Sequence, residues 1–196
     1  MVNSIEVIPG LTLTETMYEA AAEGVREFTP ELHPLSYERF TRPTEWALIP
    51  DECLDTVKAE LVLSDWPDAL TRKINVWFRA DLRGGERPKP HNHPWEFTSR
   101  ILLGGYVEDR YTLDGDQVRV EHGVTHRFGS SNHVPKDLYH EVTDIAEPGA
   151  TMTLMVCERG VKGDWGHLDV DRRVHRPIER DPDFAARFEA LNPHLR

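Results

Sequence analysis

The stretch Gly85-Glu-Arg-Pro-Lys-Pro-His91-Asn-His93 carries the strongest structural signal in this chain. Side chains two residues apart on a β-strand point to the same side. His91 and His93 are therefore predicted to direct both imidazoles into one cavity, as binding of a metal ion requires. A third ligand has to come from a distant strand, and His140 is placed to supply it. The pattern predicts one metal ion inside a β-barrel, with catalysis or ligand capture at that metal.

This first segment resembles the first motif of the cupin superfamily. In that motif a glycine is followed, after five residues, by His-x-His, and the same spacing is found here at Gly85, His91 and His93. The longer run His-Asn-His-Pro-Trp-Glu is similar to a subgroup of bacterial single-domain, metal-binding cupins. The resemblance implies a β-barrel of the jelly-roll type that holds a single metal ion.

The second cupin motif is also matched. Its glycine, proline and histidine recur in order at Gly129, Pro135 and His140. Asp137 and Asp144 replace a glycine and an asparagine of the family, and both changes fall at positions of the turn type. The resemblance covers residues 85 to 144, and two motifs in the right order are a more specific signal than one His-x-His alone.

The position of Glu96 departs from the family. The family has three or four residues between the second histidine and a glutamate ligand, whereas only two, Pro94 and Trp95, separate His93 from Glu96. One interpretation is that Glu96 reaches the metal as a fourth ligand, or lies beside it as an acid or base. The other is that Phe97 occupies the inward position, so that the three histidines alone hold the metal.

The same choice of register decides the role of Arg100. If Glu96 faces the metal, alternation along the strand directs Arg100 inward, where its guanidinium is suited to hold a substrate carboxylate. If Phe97 faces inward, Arg100 faces out, because a slip of one residue exchanges the two faces of a strand. Tyr106 is a further catalytic candidate at the mouth of the pocket, or else part of the core.

The periodicity of the chain predicts a mainly β fold with flanking helices. Regular short strands separated by Gly, Pro and Asp begin at residue 73 and indicate a single antiparallel barrel or jelly roll. Helices are predicted at 15–28, 51–64 and 181–191 from their apolar spacing and end signals. We expect one domain over 1–196, with a helical N-terminal flank at 1–72, a barrel core at 73–160 and a C-terminal extension at 161–196.

Composition narrows the classes of partner. The formal net charge of −11 argues against binding to nucleic acid or to an anionic membrane. No apolar run approaches the roughly 18 residues of a membrane-spanning helix. Two cysteines 104 positions apart do not indicate a disulfide framework, and the N-terminus has no secretory pattern. These features predict a cytoplasmic protein with a small-molecule substrate, and cupin flanks of this kind suggest a homodimer.

Together these observations predict a mononuclear metal-dependent enzyme. Imidazole ligands suit Fe(II), Zn, Mn, Ni or Cu, and three histidines or two with a carboxylate are the usual frame of non-haem Fe(II) oxygenases. The first hypothesis is therefore a dioxygenase that uses Fe(II). The alternatives are a non-redox isomerase, epimerase, lyase or cyclase, in which the ion acts as a Lewis acid, and a cupin that binds a metabolite without turnover.

Overall fold

The computed structural model describes residues 3–65, 69–83, 87–160, 165–178 and 181–196. Within these ranges the chain forms strands and helices in the following order: β1 (Ser4–Ile8), β2 (Leu11–Thr14), α1 (Glu15–Phe28), α2 (Tyr37–Phe40), β3 (Trp46–Pro50), β4 (Thr56–Ser64), β5 (Arg72–Trp77), β6 (Phe97–Leu103), β7 (Gly105–Asp114), β8 (Gln117–Arg127), β9 (Ser131–Val134), β10 (Leu138–Ile145), β11 (Thr151–Cys157), β12 (Gly166–Asp169), β13 (Val174–Pro177) and α3 (Phe184–Leu191).

Two antiparallel sheets face each other. The large sheet has the order β3-β4-β5-β11-β6-β9, and the small sheet has the order β10-β7-β8. Side chains of both sheets meet in one apolar cluster, in which Trp77 and Ile101 of the large sheet pack against Tyr106 and Val142 of the small one. The mainly β fold is therefore confirmed. Among the described residues no sheet closes on itself, so the interior is enclosed by two sheets rather than by a continuous barrel.

The larger apolar core lies on the outer face of the large sheet. Buried side chains on that face, such as Ile74, Met152 and Leu154, belong to one cluster with Met17 and Ala21 of α1. This side of the sheet is therefore covered by the N-terminal part of the chain, and burial of its apolar surface is the main stabilising contribution.

Helix α1 begins and ends as the sequence predicts. The side chain of Thr14 accepts a hydrogen bond from the backbone N–H of Met17 at 3.2 Å, which is a standard N-terminal cap. In the body of the helix, Gly24 allows close approach to the sheet, since a Cβ there would lie 2.6 Å from Cδ2 of Leu102 on β6. The missing side chain thus sets how near α1 lies to the strand that follows the His-x-His segment.

The helix predicted at 51–64 is wrong. The chain instead forms β4 over Thr56–Ser64, paired on one side with β3 and on the other with β5. Its buried residues are Val57, Ala59 and Leu61, at a spacing of two. The apolar residues 54, 57, 61 and 62 satisfy a helical spacing as well, so periodicity alone did not separate the two structures. The 1–72 flank consequently contains β1 to β4 in addition to α1 and α2.

The C-terminal segment packs back on the large sheet. Helix α3 lies within the predicted range of 181–191 and is followed by Asn192, which is 2 % exposed. The side chain of Asn192 accepts from the N–H of Leu48 at 2.6 Å and donates to the carbonyl of the same residue at 2.8 Å. This pair of hydrogen bonds fixes the segment to the edge strand β3. Among the described residues no helix is both long and apolar enough to cross a lipid bilayer.

The outer core can be tested at Leu154, which is fully buried between α1 and the large sheet. We expect Leu154→Ala to lower the free energy of unfolding by about 2–5 kcal/mol, because it removes buried methyl groups and leaves a cavity. The matched control is Val120→Ala at an exposed site, expected to change stability by less than about 0.5 kcal/mol. Urea denaturation followed by circular dichroism measures both, and equal effects would show that this face is not the main core.

Candidate metal centre

Three histidines converge between the two sheets. His91, His93 and His140 each offer a ring nitrogen, and these three nitrogens lie within 4.8 Å of one another. Nε2 of His93 is 3.0 Å from Nε2 of His140. Two nitrogens on adjacent octahedral positions of one ion, with bonds of about 2.1 Å, would be about 3.0 Å apart, so the spacing fits a shared metal ion. The predicted convergence of the three histidines is thus found in the structure.

The backbone places this group by strand pairing. The N–H of His91 donates to the carbonyl of His140 at 3.0 Å, and the N–H of His140 donates to the carbonyl of His91 at 2.9 Å. Between the two motif histidines, the Asn92 side chain accepts from the N–H of Gly166 at 2.7 Å and donates to the carbonyl of Lys136 at 3.0 Å. The His-x-His segment is therefore held between β10 and β12.

A buried carboxylate lies behind the third histidine. Glu108 on β7 is fully buried, and its Oε2 lies 2.8 Å from Nδ1 of His140. Its Oε1 accepts from Arg110 at 2.6 Å and from Asn132 at 2.9 Å, and lies 3.0 Å from Nε2 of His126. With Nδ1–H directed at the carboxylate, Nε2 of His140 keeps its lone pair toward His93. Burial alone would raise the pKa of Glu108, but hydrogen bonds from His126 and His140 hold it well below its usual range.

The electrostatics of the group favour neutral imidazoles. Burial lowers the pKa of His91 and of His93 well below the ordinary value of 6.5. The Asp81 carboxylate lies 3.9 Å from Nε2 of His91 and is itself paired with Arg83 at 3.1 Å. Because only the neutral ring can donate a lone pair to a metal, burial keeps these two histidines ready as ligands near neutral pH.

One buried nitrogen in the group is left without a partner. Nδ1 of His91 has no hydrogen-bond partner among the described residues. A buried polar atom normally has a partner, since leaving one unsatisfied costs free energy. The orphaned nitrogen, the short Nε2–Nε2 distance and the all-nitrogen donor set together fit a borderline divalent metal such as Fe(II), Zn, Ni or Cu.

The structure resolves the register of the strand after the motif in favour of Phe97. Its side chain is buried, and its ring centroid lies 4.9 Å from that of His93. The predicted inward orientation of Glu96 is not found. The side chain of Glu96 is 47 % exposed, and its Oε1 lies 4.0 Å from Nε2 of His133 on the surface. Because only two residues separate His93 from Glu96, the inward position of the strand is occupied by the next residue, Phe97.

The same register directs Arg100 away from the interior. Its guanidinium lies over the ring of Phe28 at 4.1 Å from the centroid and donates to Ser131. The inward alternative for Arg100 is therefore not adopted, and the residue instead links β6 to the end of α1. Tyr106 does face inward: it is buried, packs with Trp77, and accepts a hydrogen bond from Asn132 at 2.7 Å.

Glu108 is the residue of this site that sequence reasoning missed. It follows Tyr106 by two residues on a predicted strand, so an inward Tyr106 implies an inward Glu108. His126 is buried against the same carboxylate. Tyr139, by contrast, lies on the other side of β10, where its hydroxyl is 2.9 Å from Nδ1 of His175.

Comparison with known proteins gives only distant structural similarity. No family model matches the chain, and no curated protein matches it. Among solved structures, an iron(II) HppE matches with a TM-score of 0.37 at 13 % identity, over 53 % of this chain and 50 % of that chain. KdgF from Halomonas sp. matches with a TM-score of 0.38 at 14 % identity, over 58 % and 87 %. Pac13, described as a unique nucleoside dehydratase, matches with a TM-score of 0.41 at 14 % identity, over 63 % and 84 %.

This similarity is too low to assign a family or an activity. The chain spans half the length of the HppE chain it matches. Interpretation of the site therefore depends on the side chains described above.

The carboxylate behind His140 provides a first test of the site. We expect Glu108→Gln to weaken metal affinity by about 10- to 100-fold, because the charge that orients the His140 ring is lost. Isothermal titration with Zn²⁺ measures this. The matched control is Glu121→Gln on the neighbouring strand β8, where the side chain is exposed and affinity should not change. Equal affinities in the two variants would contradict the supporting role of Glu108.

The low pKa of the buried histidines provides a second test, on metal-free protein. Below pH 6.5 the unfolded histidines take up protons that folded His91 and His93 do not, so the free energy of unfolding should fall as pH drops. Each histidine contributes at most about 1.4 kcal/mol per pH unit. Denaturant titrations between pH 6.5 and 5 measure the slope, which His91→Gln should reduce and the exposed-site control His122→Gln should not. A slope unaffected by His91→Gln would contradict the assignment.

Proposed function

We propose that this protein is a mononuclear metal-dependent enzyme of the cupin type that acts on a small molecule. The observation that carries the proposal is the convergence of His91, His93 and His140 within 4.8 Å, in a buried site and at the positions of both motifs. A merely structural group of histidines would not require three imidazole rings to face one another.

The chain's own groups suit a site that binds a metal on one side and a substrate on the other. Three ligands from one side of an ion leave coordination positions free, as catalytic sites do and closed structural sites do not. Phe97 packs against the His93 ring, and Tyr106 belongs to the apolar cluster between the two sheets, so both border the interior. The Glu108 carboxylate holds a proton on Nδ1 of His140, and this hydrogen bond keeps the ring oriented.

Within this proposal, the reaction we favour is oxygenation with Fe(II). A three-histidine face is one of the usual frames of non-haem Fe(II) oxygenases, and iron bound there would supply their redox chemistry. The non-redox alternative is a Lewis-acid enzyme using zinc or manganese. A homodimer stays a prediction.

Metal content tests the proposal directly. Protein purified without added metal should carry about one divalent ion per chain, measured by elemental analysis. His91→Ala and His140→Ala should each lose most of it while far-UV circular dichroism remains unchanged, because the ligands come from separate strands. His122→Ala is the control, since its ring is 71 % exposed and directed at Asp109 outside the group. Full metal content in either ligand variant would exclude that histidine as a ligand.

Oxygen uptake separates the candidate reactions. Iron in the purified protein, with oxygen consumption on addition of small metabolites, would support the oxygenase. Zinc or manganese without oxygen uptake would overturn the oxygenase in favour of an isomerase, epimerase, lyase or cyclase. A protein that carries no metal under any loading condition would overturn the enzyme proposal and favour a metabolite-binding cupin.

A further inference from the structure

A second group of charged residues lies on the inner face of the large sheet. Glu60 on β4 is bonded to two ammonium groups through the same oxygen: its Oε1 lies 2.9 Å from Nζ of Lys58 and 2.8 Å from Nζ of Lys73. The three side chains are only 14 to 17 % exposed. We call these three residues the lysine cluster. Ionised groups are costly to bury, so a cluster at this position calls for an explanation.

Strand register places the lysine cluster in the interior. Lys58 is opposite Trp77, and Glu60 is opposite Asn75, so these four residues share one face of the sheet. Trp77 packs against Tyr106 of the small sheet, which identifies this face as the one that looks toward the other sheet. Nζ of Lys58 lies over the Trp77 ring at 5.0 Å.

The same face continues from the lysine cluster to the metal centre. Lys73 on β5 is opposite Met155 of β11, which in turn is opposite Ser99 of β6. Two residues before Ser99 on the same face is Phe97, whose ring contacts His93. The cluster and the histidines therefore border one interior.

The lysine cluster has unused hydrogen-bond donors, and Asn75 beside it has an unused acceptor. An ammonium has three donors, and the bond to Glu60 is the only hydrogen bond or ion pair that either lysine makes among the described residues. Beside them, Asn75 is 2 % exposed, and its Oδ1 has no hydrogen-bond partner within the same described ranges. Its amide nitrogen donates one of its two hydrogens to Oγ1 of Thr153 at 3.3 Å. A ligand with an anionic group and a neighbouring hydroxyl or amine would satisfy both.

We propose that the lysine cluster and Asn75 form the site that binds a carboxylate of the substrate, in an interior shared with the metal. The proposal rests on the proposed function, and it names the substrate class as a small carboxylic acid. Lys58 and Lys73 bind the carboxylate oxygens, and Asn75 accepts a hydrogen bond from a hydroxyl or amine of the same molecule. Glu60 holds both ammonium groups in place before the substrate arrives.

Charge complementarity favours a single carboxylate. Two ammonium groups and one carboxylate give the lysine cluster a net charge of +1, in a chain whose formal net charge is −11. Burial by itself would raise the pKa of Glu60, but the charges of Lys58 and Lys73 and their hydrogen bonds outweigh it and lower this pKa to about 2, so Glu60 stays ionised near neutral pH. A monoanion would neutralise the cluster, whereas a dianion would leave an excess negative charge in a partly buried site.

The wild-type protein provides the first experiment. Butyrate and its uncharged analogue butyramide are titrated into metal-loaded and metal-free protein at pH 7. Binding is followed at the Trp77 indole N–H by two-dimensional NMR, with the signal assigned by Trp77→Phe. This N–H donates to Thr153 at 3.2 Å, next to Asn75, and therefore reports on the proposed site. We expect butyrate to shift it in both forms of the protein and to bind at least about tenfold more tightly than butyramide, the value of one charged hydrogen bond.

Two variants of the lysine cluster should change butyrate affinity in opposite directions, and a third serves as a control. Lys73→Met should weaken butyrate binding by about tenfold, because it removes one ammonium and leaves the cluster neutral. Glu60→Gln should tighten it, because the net charge of the cluster rises from +1 to +2. Arg119→Met is the control for overall charge, since its side chain is 73 % exposed and should leave affinity unchanged. A purely structural ion pair would instead lower thermal stability in both cluster variants, with no change in the ratio of butyrate to butyramide affinity.

The outcomes separate this proposal from the proposed function. Equal binding of butyrate and butyramide to wild-type protein, or weaker binding in Glu60→Gln, would overturn the carboxylate site even if the protein carries its metal. Selective butyrate binding to protein that never takes up metal would support the carboxylate site and refute the metal enzyme. If Lys73→Met does not fold, Lys58→Met serves the same purpose, and the wild-type comparison stands without either variant.

Discussion

The rest of the site depends on a pair of backbone hydrogen bonds between His91 and His140. Each residue donates to the carbonyl of the other, so two positions 49 residues apart in the chain become direct neighbours in an antiparallel bridge. An irregular segment cannot hold an imidazole to within a few tenths of an ångström unless its backbone is fixed. Here the bridge fixes the His-x-His segment to β10, and His93 then follows from the alternation of side chains.

Hydrogen bonds to Glu108 compensate the free-energy cost of burying its ionised carboxylate. A carboxylate with no exposure is strongly disfavoured by itself, yet this one has four partners, among them Arg110 and the ring of His140. Removing any one partner would weaken the compensation of this buried charge, so the four partners support one another. The fixed carboxylate in turn determines which nitrogen of His140 carries the proton, and the lone pair that faces His93 is a consequence of that network.

Much of this arrangement could be predicted from the sequence. Two motifs at a set spacing predicted the histidines, and alternation of apolar residues predicted most strands of the two sheets. The register of Phe97 could not be predicted, because Leu102 and Leu103 satisfy either face and only contact with His93 decides between them. The helix expected at 51–64 failed for a similar reason: its apolar spacing fits a helix and a strand alike, and pairing with β3 and β5 decided the outcome. Glu108 was overlooked because an isolated acid on a strand has no motif of its own.

The position of the main apolar core has a consequence for how such a protein can change. The side chains that hold the fold together lie mostly on the outer face of the large sheet, against α1, and not between the two sheets. Most of the stabilising apolar burial is therefore outside the interior between the two sheets. This interior can then contain ionised groups such as Lys58 and Lys73. On each of these strands, the outward residues stabilise the fold and the inward residues determine the chemistry of the site. A new preference can then arise by replacing inward residues of β4 and β5, while the alternate residues of those strands keep the scaffold intact.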